Sequence, residues 1–118
     1  MDIETFRDYC LNKKGVDEST PFGDQTLVFK VMGKMFALTS LTDEEFSVNL
    51  KCDPIRAVEL REQFEDIRPG YHMNKKHWNT VHFENGLEEE FLLELLEHSY
   101  DLVVKGLRKK DRDFLNSI

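Results

Sequence analysis

Residues 26–40 read TLVFKVMGKMFALTS, and this stretch decides the fold class. Gly33-Lys34 separates two runs rich in β-branched and aromatic residues, which is typical of a two-residue hairpin with glycine first in the turn. That turn pairs Met32 with Met35. Since side chains alternate along a strand, one face of the hairpin is predicted to be apolar. The residues predicted to share that inward face are Leu27, Phe29, Val31, Phe36 and Leu38.

A third strand is predicted over residues 46–51, because the same alternation continues there. Its inward residues are predicted to be Phe46, Val48 and Leu50, and its outward residues Ser47, Asn49 and Lys51. Residues 15–25 contain two glycines, a proline and several small polar residues, so they are predicted to form a loop.

Three helices and a second hairpin complete the prediction. One helix begins after Asp2, an acceptable N-cap, and a second begins after Asp53, which precedes a proline at the first helical position. Residues 70–83 predict the second hairpin, with a tight turn at the sequence NKKH. A long third helix runs from near Leu87 to a C-cap at Gly106. The tail after it is expected to form a short helix or to fray.

This order, α-βββ-α-ββ-α, predicts an α+β fold: an antiparallel sheet with helices packed on one face. We expect one domain over residues 1–118, with the other face of the sheet open to water or to a partner.

Composition restricts the function classes. The chain has 118 residues, is 33% charged, and carries a net charge of −7, which counts against strong sequence-independent DNA affinity unless a local basic patch exists. It contains no apolar run near the roughly 20 residues of a membrane span and no signal region at its N-terminus, so we expect a cytoplasmic protein that does not contact membranes. Cys10 and Cys52 are expected to be reduced thiols rather than a disulfide.

Residues 68–83, RPGYHMNKKHWNTVHF, are basic and aromatic and contain no acid. Arg68 and the turn residues at 75–77 could contact phosphates, while Trp78, Tyr71 or a histidine ring could stack on a base. The alternative is structural: Trp78 and Tyr71 belong to the core, and the turn is polar because turns generally are.

Metal binding and catalysis have weaker support. His72, His77 and His82 are five residues apart, which sends neighbours to opposite faces of a strand, and no ligand pattern completes them. Cys52 precedes a predicted helix and could be an activated nucleophile, or a small buried apolar residue. No nucleotide-binding or hydrolase motif is present. We therefore assign no catalytic residue, no metal and no cofactor.

Four segments together resemble the MmcQ/YjbR family of small bacterial proteins: TLVFKVMGKMFAL, SVNLKCDP, RPGYHMNKKHWNTV and HSYDLVV. The resemblance runs from Tyr9 to about Val104. It implies a frataxin-like α+β fold, and members are commonly labelled DNA-binding because they resemble a double-wing transcription-factor domain. Fold alone does not establish function.

The resemblance and the basic hairpin together favour a DNA-binding or regulatory domain. The alternative is a protein- or small-ligand-binding module that uses the same sheet face without nucleic acid or catalysis. We expect DNA or a protein as partner, and a monomer or weak dimer. The residues predicted to contact nucleic acid are Lys30, Asn49, Lys51, Arg68, His72, Lys75, Lys76, His77 and Trp78.

Overall fold

The computed structural model describes residues 1–70, 73–84 and 86–118. Its helices are α1 (Ile3–Leu11), α2 (Pro54–Gln63), α3 (Glu89–Lys105) and α4 (Lys109–Ser117). Its strands are β1 (Val16–Ser19), β2 (Thr26–Val31), β3 (Lys34–Ser40), β4 (Ser47–Lys51), β5 (Ile67–Pro69) and β6 (Trp78–His82). The strands form one antiparallel sheet in the order β1-β2-β3-β4-β6-β5. The predicted α+β class and antiparallel sheet are confirmed.

The predicted helix caps are present. The Asp2 carboxylate accepts a hydrogen bond from the Thr5 amide, and the Asp53 carboxylate accepts from the Ile55 and Arg56 amides. Each carboxylate satisfies amides that have no partner within the first turn of a helix. Gly106 is the C-cap of α3.

Helices α1 and α3 pack on one face of the sheet. Phe6 of α1 is fully buried, and its ring meets Phe29, Phe46 and Phe83 edge to face at centroid distances of 5.2, 5.5 and 5.6 Å. Such ring pairs stabilise beyond the area they bury. The residues that α3 buries are Leu92, Leu95, Leu96, Ser99, Tyr100 and Val103. No helix in the described part of the chain has the length and apolar character needed to cross a membrane.

The first hairpin turns one residue earlier in the chain than predicted. Met32 and Gly33 both have positive φ, +49° and +82°, so they are the two central residues, as a type I′ turn requires. Lys30 is therefore opposite Met35, and the register then shifts by one residue at a bulge that leaves Phe36 unpaired.

The bulge decides which side chains face the helices. Phe36 still lies in the main core, but beyond it Leu38 is opposite Val28 rather than Phe29. Both Leu38 and Val28 are buried outside the main core, on the face away from the helices. The prediction that Leu38 points inward was therefore wrong. The other predicted inward residues do pack in or against the main core: Leu27, Phe29, Val31, Phe36, Phe46, Val48 and Leu50.

One element differs from the prediction, and the tail takes the helical one of its two predicted forms. Residues 16–19, predicted as loop, form the edge strand β1, with Val16 opposite Val31 and Asp17 opposite Lys30. Charged residues are common on edge strands because they discourage pairing with a second sheet. The C-terminal tail forms the helix α4, which Leu115 anchors by its burial.

Candidate functional site

The face of the sheet away from α1 and α3, here called the outer face, has regular rows of side chains. One row crosses all six strands, because each of its residues is opposite the next in the register: Ser19, Val28, Leu38, Asn49, Thr80 and Arg68. This row changes from apolar at β2 and β3 to polar at β4 and β6 and basic at β5. The Thr80 hydroxyl donates to Asn49 Oδ1 at 2.6 Å, which fixes the polar centre.

A shallow groove of about 810 Å³ follows the outer face. Leu38, Met35, Met73 and Phe22 provide its apolar surface. Its polar surface includes Asn49, Thr80 and Arg68 on the sheet and the carboxylates of the β3–β4 loop. These carboxylates belong to Asp43, Glu44 and Glu45.

The Trp78 side chain is buried rather than exposed to solvent. Its side chain lies on the outer face opposite Lys51, and the residue is 8% exposed. Gly70 approaches so closely that a Cβ there would lie 3.0 Å from the Trp78 carbonyl oxygen. The indole ring is therefore not presented for base stacking in this conformation.

The β5–β6 turn presents the two lysines of the sequence NKKH. Asn74 closes the turn, since its carbonyl accepts from the His77 and Trp78 amides and its side chain accepts from the Lys76 amide at 2.9 Å. Lys75 and Lys76 are both exposed. The turn residue His77 is half-buried, and its carbonyl accepts from the Cys52 amide at 2.8 Å.

Helix α2 holds this turn through Arg61. The Arg61 guanidinium donates to the Lys75 carbonyl and, at 2.6 Å, to Oδ1 of the buried Asn79. Asn79 in turn donates to the Ala57 carbonyl of α2. Neither residue was among the predicted contact residues. Because β6 reads WNTVH and mixes polar with apolar residues, the sequence alone does not single out Asn79, whose buried amide requires these partners.

The predicted contact residues do not form one cluster. Lys30 and Lys51 lie toward one end of the outer face, and Asn49 and Arg68 lie in its central row. Lys75, Lys76 and His77 form the turn beyond Lys51, and Trp78 is buried at its base. His72 and the stacking candidate Tyr71 lie outside the described residues.

Charge is segregated between the two ends of the sheet. The end that carries the β2–β3 turn also carries the β5–β6 turn, because β3, β4 and β6 are antiparallel neighbours. Helix α4 lies at the same end, because Gly15 lies beside both Met32 and Leu115. We call it the basic end, and every lysine of the chain is there. Its cationic residues are Lys13, Lys14, Lys30, Lys34, Lys51, Lys75, Lys76, Lys105, Arg108, Lys109, Lys110 and Arg112. The acids among them are Asp17, Asp53, Glu97, Asp101, Asp111 and Asp113, and Glu97 forms an ion pair with Lys13.

The opposite end, here called the acidic end, carries the β1–β2 and β3–β4 loops and the starts of α1 and α3. Two hydrogen bonds bring these segments together: the chain's amino group donates to the Phe83 carbonyl, and the Phe46 amide donates to Glu84. Its acids are Asp2, Glu4, Asp24, Asp43, Glu44, Glu45, Glu62, Glu65, Asp66, Glu84, Glu88, Glu89 and Glu90.

Cys52 is held as a thiol. It is 3% exposed, and burial raises its pKa to about 11, outweighing the lowering by the nearby Arg56 charge. The position before α2 therefore does not activate it, and the structure favours the interpretation of Cys52 as a buried apolar residue. Burial likewise raises the pKa of Cys10, to about 12.

Two histidines have defined surroundings. His98 Nε2 accepts from the Asp53 amide at 3.2 Å, and desolvation lowers the pKa of His98. His82 Nδ1 lies 3.4 Å from an Asp66 oxygen, while its Nε2 is buried without a described partner. Among the residues that the structure describes, no group of three or more His, Cys, Asp and Glu is arranged to hold a metal ion.

Comparisons with known proteins identify relatives along most of the chain. The family profile YjbR matches residues 11–102. The uncharacterized protein YbdF of Escherichia coli O157:H7 is 39% identical over 92% of this chain and 89% of its own length. The uncharacterized protein YjbR of Escherichia coli K12 is 32% identical over 98% of each chain.

Solved structures share the fold. A crystal structure of a Deinococcus radiodurans protein with a DUF419 domain superposes with a TM-score of 0.89 at 43% identity, covering 97% of this chain and 87% of that one. A crystal structure of a Pseudomonas syringae protein gives 0.74 at 28% identity, covering 86% and 98%. The names of these four proteins state no reaction, ligand or partner.

Proposed function

The chain belongs to the YjbR family, and from that premise we propose that it binds nucleic acid through phosphate contacts made by the basic end of its sheet. The observation that carries this proposal is the segregation of charge. Double-stranded nucleic acid is a dense array of phosphates, and binding that does not depend on sequence comes from lysines and arginines that neutralise them.

The net charge of −7 does not exclude binding of nucleic acid, because the charges at the two ends of the sheet act independently of each other. Helix α3 runs from the acidic end to the basic end over 17 residues, which is about 25 Å at about 1.5 Å per residue. The Debye length in physiological salt is about 8 Å. A phosphate at the basic end is therefore about three Debye lengths from the acids at the other end, and the local charge dominates.

The β5–β6 turn is the part of the basic end best built for this contact. Asn74 closes it, and Arg61 fixes it to α2, so Lys75 and Lys76 are exposed residues of an ordered turn. Fixing a loop before binding reduces the entropy lost on association. Because Trp78 is buried and these contacts use lysines, the proposed binding has little sequence preference.

The test is fluorescence anisotropy with a mixed-sequence DNA duplex across a range of salt concentrations. The double variant Lys75→Gln/Lys76→Gln removes two charges from the turn. It is expected to weaken binding equally for all sequences and to reduce the slope of log K against log salt by up to about two units, about 0.9 for each lost phosphate contact. Thermal unfolding should change little, because both residues are exposed.

The matched control is Glu44→Gln/Glu45→Gln, which changes two charges in an exposed loop at the acidic end. It should leave DNA affinity nearly unchanged at physiological salt. A further double variant, Lys109→Gln/Lys110→Gln, tests whether the surface that contacts DNA extends to α4. If wild-type protein at tens of micromolar does not bind at low salt, or if the acidic-end variant alters affinity as much as the turn variant, the proposal is wrong.

A second candidate function, binding of a small ligand or a protein on the outer face, has its own support. The groove combines apolar and carboxylate surface next to the central row of the sheet. Carboxylates repel phosphates, so this part of the outer face is unsuited to nucleic acid.

A further inference from the structure

We propose that the groove on the outer face binds a small organic cation, an amine with an aryl or alkyl body. This binding would be independent of any contact with nucleic acid. Four features carry the proposal: the size of the groove, its apolar wall, its carboxylates, and the position of its single arginine.

The groove has the size and lining of a small-molecule site. Its volume of about 810 Å³ lies within the range of about 300–1,000 Å³ typical of ligand pockets. Leu38 lies in the central row of the sheet, beside the partly buried Met35 and Met73. Methionine side chains are flexible and polarizable, so they adapt to ligands of different shape.

Phe22 adds an aromatic surface at the acidic end of the groove. The residue is 66% exposed, although large apolar side chains are usually buried, and it lies in the β1–β2 loop beside the groove. An aromatic ring can pack against an apolar ligand body and can also attract a cation through its face.

The charge of the lining selects the sign of the ligand. Asp43, Glu44 and Glu45 are exposed and make no ion pair with any residue in the described ranges. The loop that carries them is ordered at its start by Ser40, whose hydroxyl accepts from the Thr42 and Asp43 amides at 3.3 Å. Three carboxylates in one short loop favour an ammonium group there.

Arg68 sets the orientation. It lies at the β5 end of the central row, while the carboxylate loop lies at the acidic end of β3 and β4. An ammonium group is repelled by Arg68 and attracted by the loop, so the ligand's amine faces the loop and its apolar body lies over Leu38. Asn49 and Thr80 satisfy each other between these regions, and they offer remaining hydrogen-bonding capacity to the ligand.

The experiment uses phenethylamine as the cation and phenylacetate as an anion of nearly the same size. Amide chemical-shift changes in a ¹⁵N-labelled protein report both affinity and location. Phenethylamine is expected to shift the amides of Leu38, Asn49 and Thr80 at millimolar concentration. Phenylacetate should bind at least about ten-fold more weakly, because the lining has an excess of carboxylates.

Two double variants test the role of the carboxylates. Glu44→Gln/Glu45→Gln should weaken phenethylamine binding by about five-fold or more, since each exposed ion pair contributes up to about a five-fold factor. The matched control Glu89→Gln/Glu90→Gln removes two carboxylates from the same end but outside the groove, and it should have little effect. Amide spectra of each variant in the absence of ligand verify that the fold is retained.

The proposal is overturned if phenylacetate binds as tightly as phenethylamine, if the shifted amides lie away from the groove, or if phenethylamine at tens of millimolar shifts nothing. It is also overturned if both double variants bind like the wild type. The DNA experiment is separate, because it depends on Lys75 and Lys76 at the other end of the sheet. Either proposal can therefore fail while the other survives.

Discussion

Replacing Ser99 with alanine should destabilise the protein far more than its small size suggests. Ser99 is fully buried in α3, at the place where β3 and β4 separate beyond the bulge. Its hydroxyl donates to the Phe36 carbonyl at 2.5 Å and accepts from the Lys51 amide at 2.9 Å. One side chain thus replaces the missing hydrogen bonds between two strands.

The expected cost follows from those two bonds. A buried backbone group that loses its partner costs about 1–3 kcal/mol, so the two together cost about 2–4 kcal/mol when one is only partly buried. Alanine is the better helix former by about 0.5 kcal/mol, which reduces the net loss to about 1.5–3.5 kcal/mol. At about 4 °C per kcal/mol for a domain of this size, the melting temperature should fall by about 6–14 °C.

The assay is urea unfolding followed by circular dichroism, with Ser117→Ala as the control. Ser117 is also a helical serine bonded to a backbone carbonyl, that of Phe114, but it is exposed, and its replacement should cost no more than about 0.5 kcal/mol. If Ser99→Ala costs as little as Ser117→Ala, then the bridge between Phe36 and Lys51 does not stabilise the fold, and the explanation given for the bulge fails.

Two predictions concern titratable groups near the start of α2. Because burial raises the pKa of Cys52 to about 11, a thiol-reactive probe should label it slowly in the native protein at neutral pH, and rapid labelling would contradict its packed position. Desolvation lowers the pKa of His98 from its usual value of 6.5, so the unfolded state binds the proton more readily and stability is lost as pH falls below about 6.5. The free energy of unfolding measured at pH 7.5 and 5.5 should show this loss in the wild type and a smaller one in His98→Gln; equal losses would exclude His98 as its cause.

Local patterns explain why much of the fold could be predicted. The caps at Asp2 and Asp53 depend on hydrogen bonds within three residues, and such bonds can be inferred from neighbouring residues in the sequence. The alternation of Val48 and Leu50 with outward polar residues likewise gave the correct face of β4.

The first hairpin could not be predicted in full because its register depends on tertiary packing. A turn at Gly33-Lys34 satisfied the apolar pattern without a bulge. The actual turn at Met32-Gly33 shifts the pairing, and the bulge at Phe36 then returns that ring to the core beside Tyr100, at a centroid distance of 5.5 Å. Ser99, one helix away in the fold and 63 residues away in sequence, provides the hydrogen bond that this bulge requires.

The candidate site was predicted only in part for a similar reason. The turn with Lys75 and Lys76 can be recognised in the sequence as a basic segment. The hydrogen bond from Arg61 that holds this turn, however, joins residues from different elements. The charge segregation is also nonlocal, since it depends on the direction in which each strand and helix runs. Net charge sums over the whole chain and therefore conceals it.

Chromatography on heparin can separate local from net charge. The protein has a sequence pI of about 5.1, so at pH 8 a uniformly charged molecule of this composition would be repelled by a polyanion. The basic end is instead expected to hold the protein on heparin at low salt, because the acids about 25 Å away are screened over about 8 Å.

Elution should then move to lower salt for Lys75→Gln/Lys76→Gln and should hardly change for Glu44→Gln/Glu45→Gln. If net charge governs the interaction, the first variant still loses retention but the second gains it by a similar amount, because the two changes in total charge are equal and opposite. Flow-through of the wild type at low salt would mean that the acids among the basic residues, such as Asp53 and Asp101, neutralise that end. The basic end would then be a solvated surface, and the proposal of nucleic-acid contact would lose its main support.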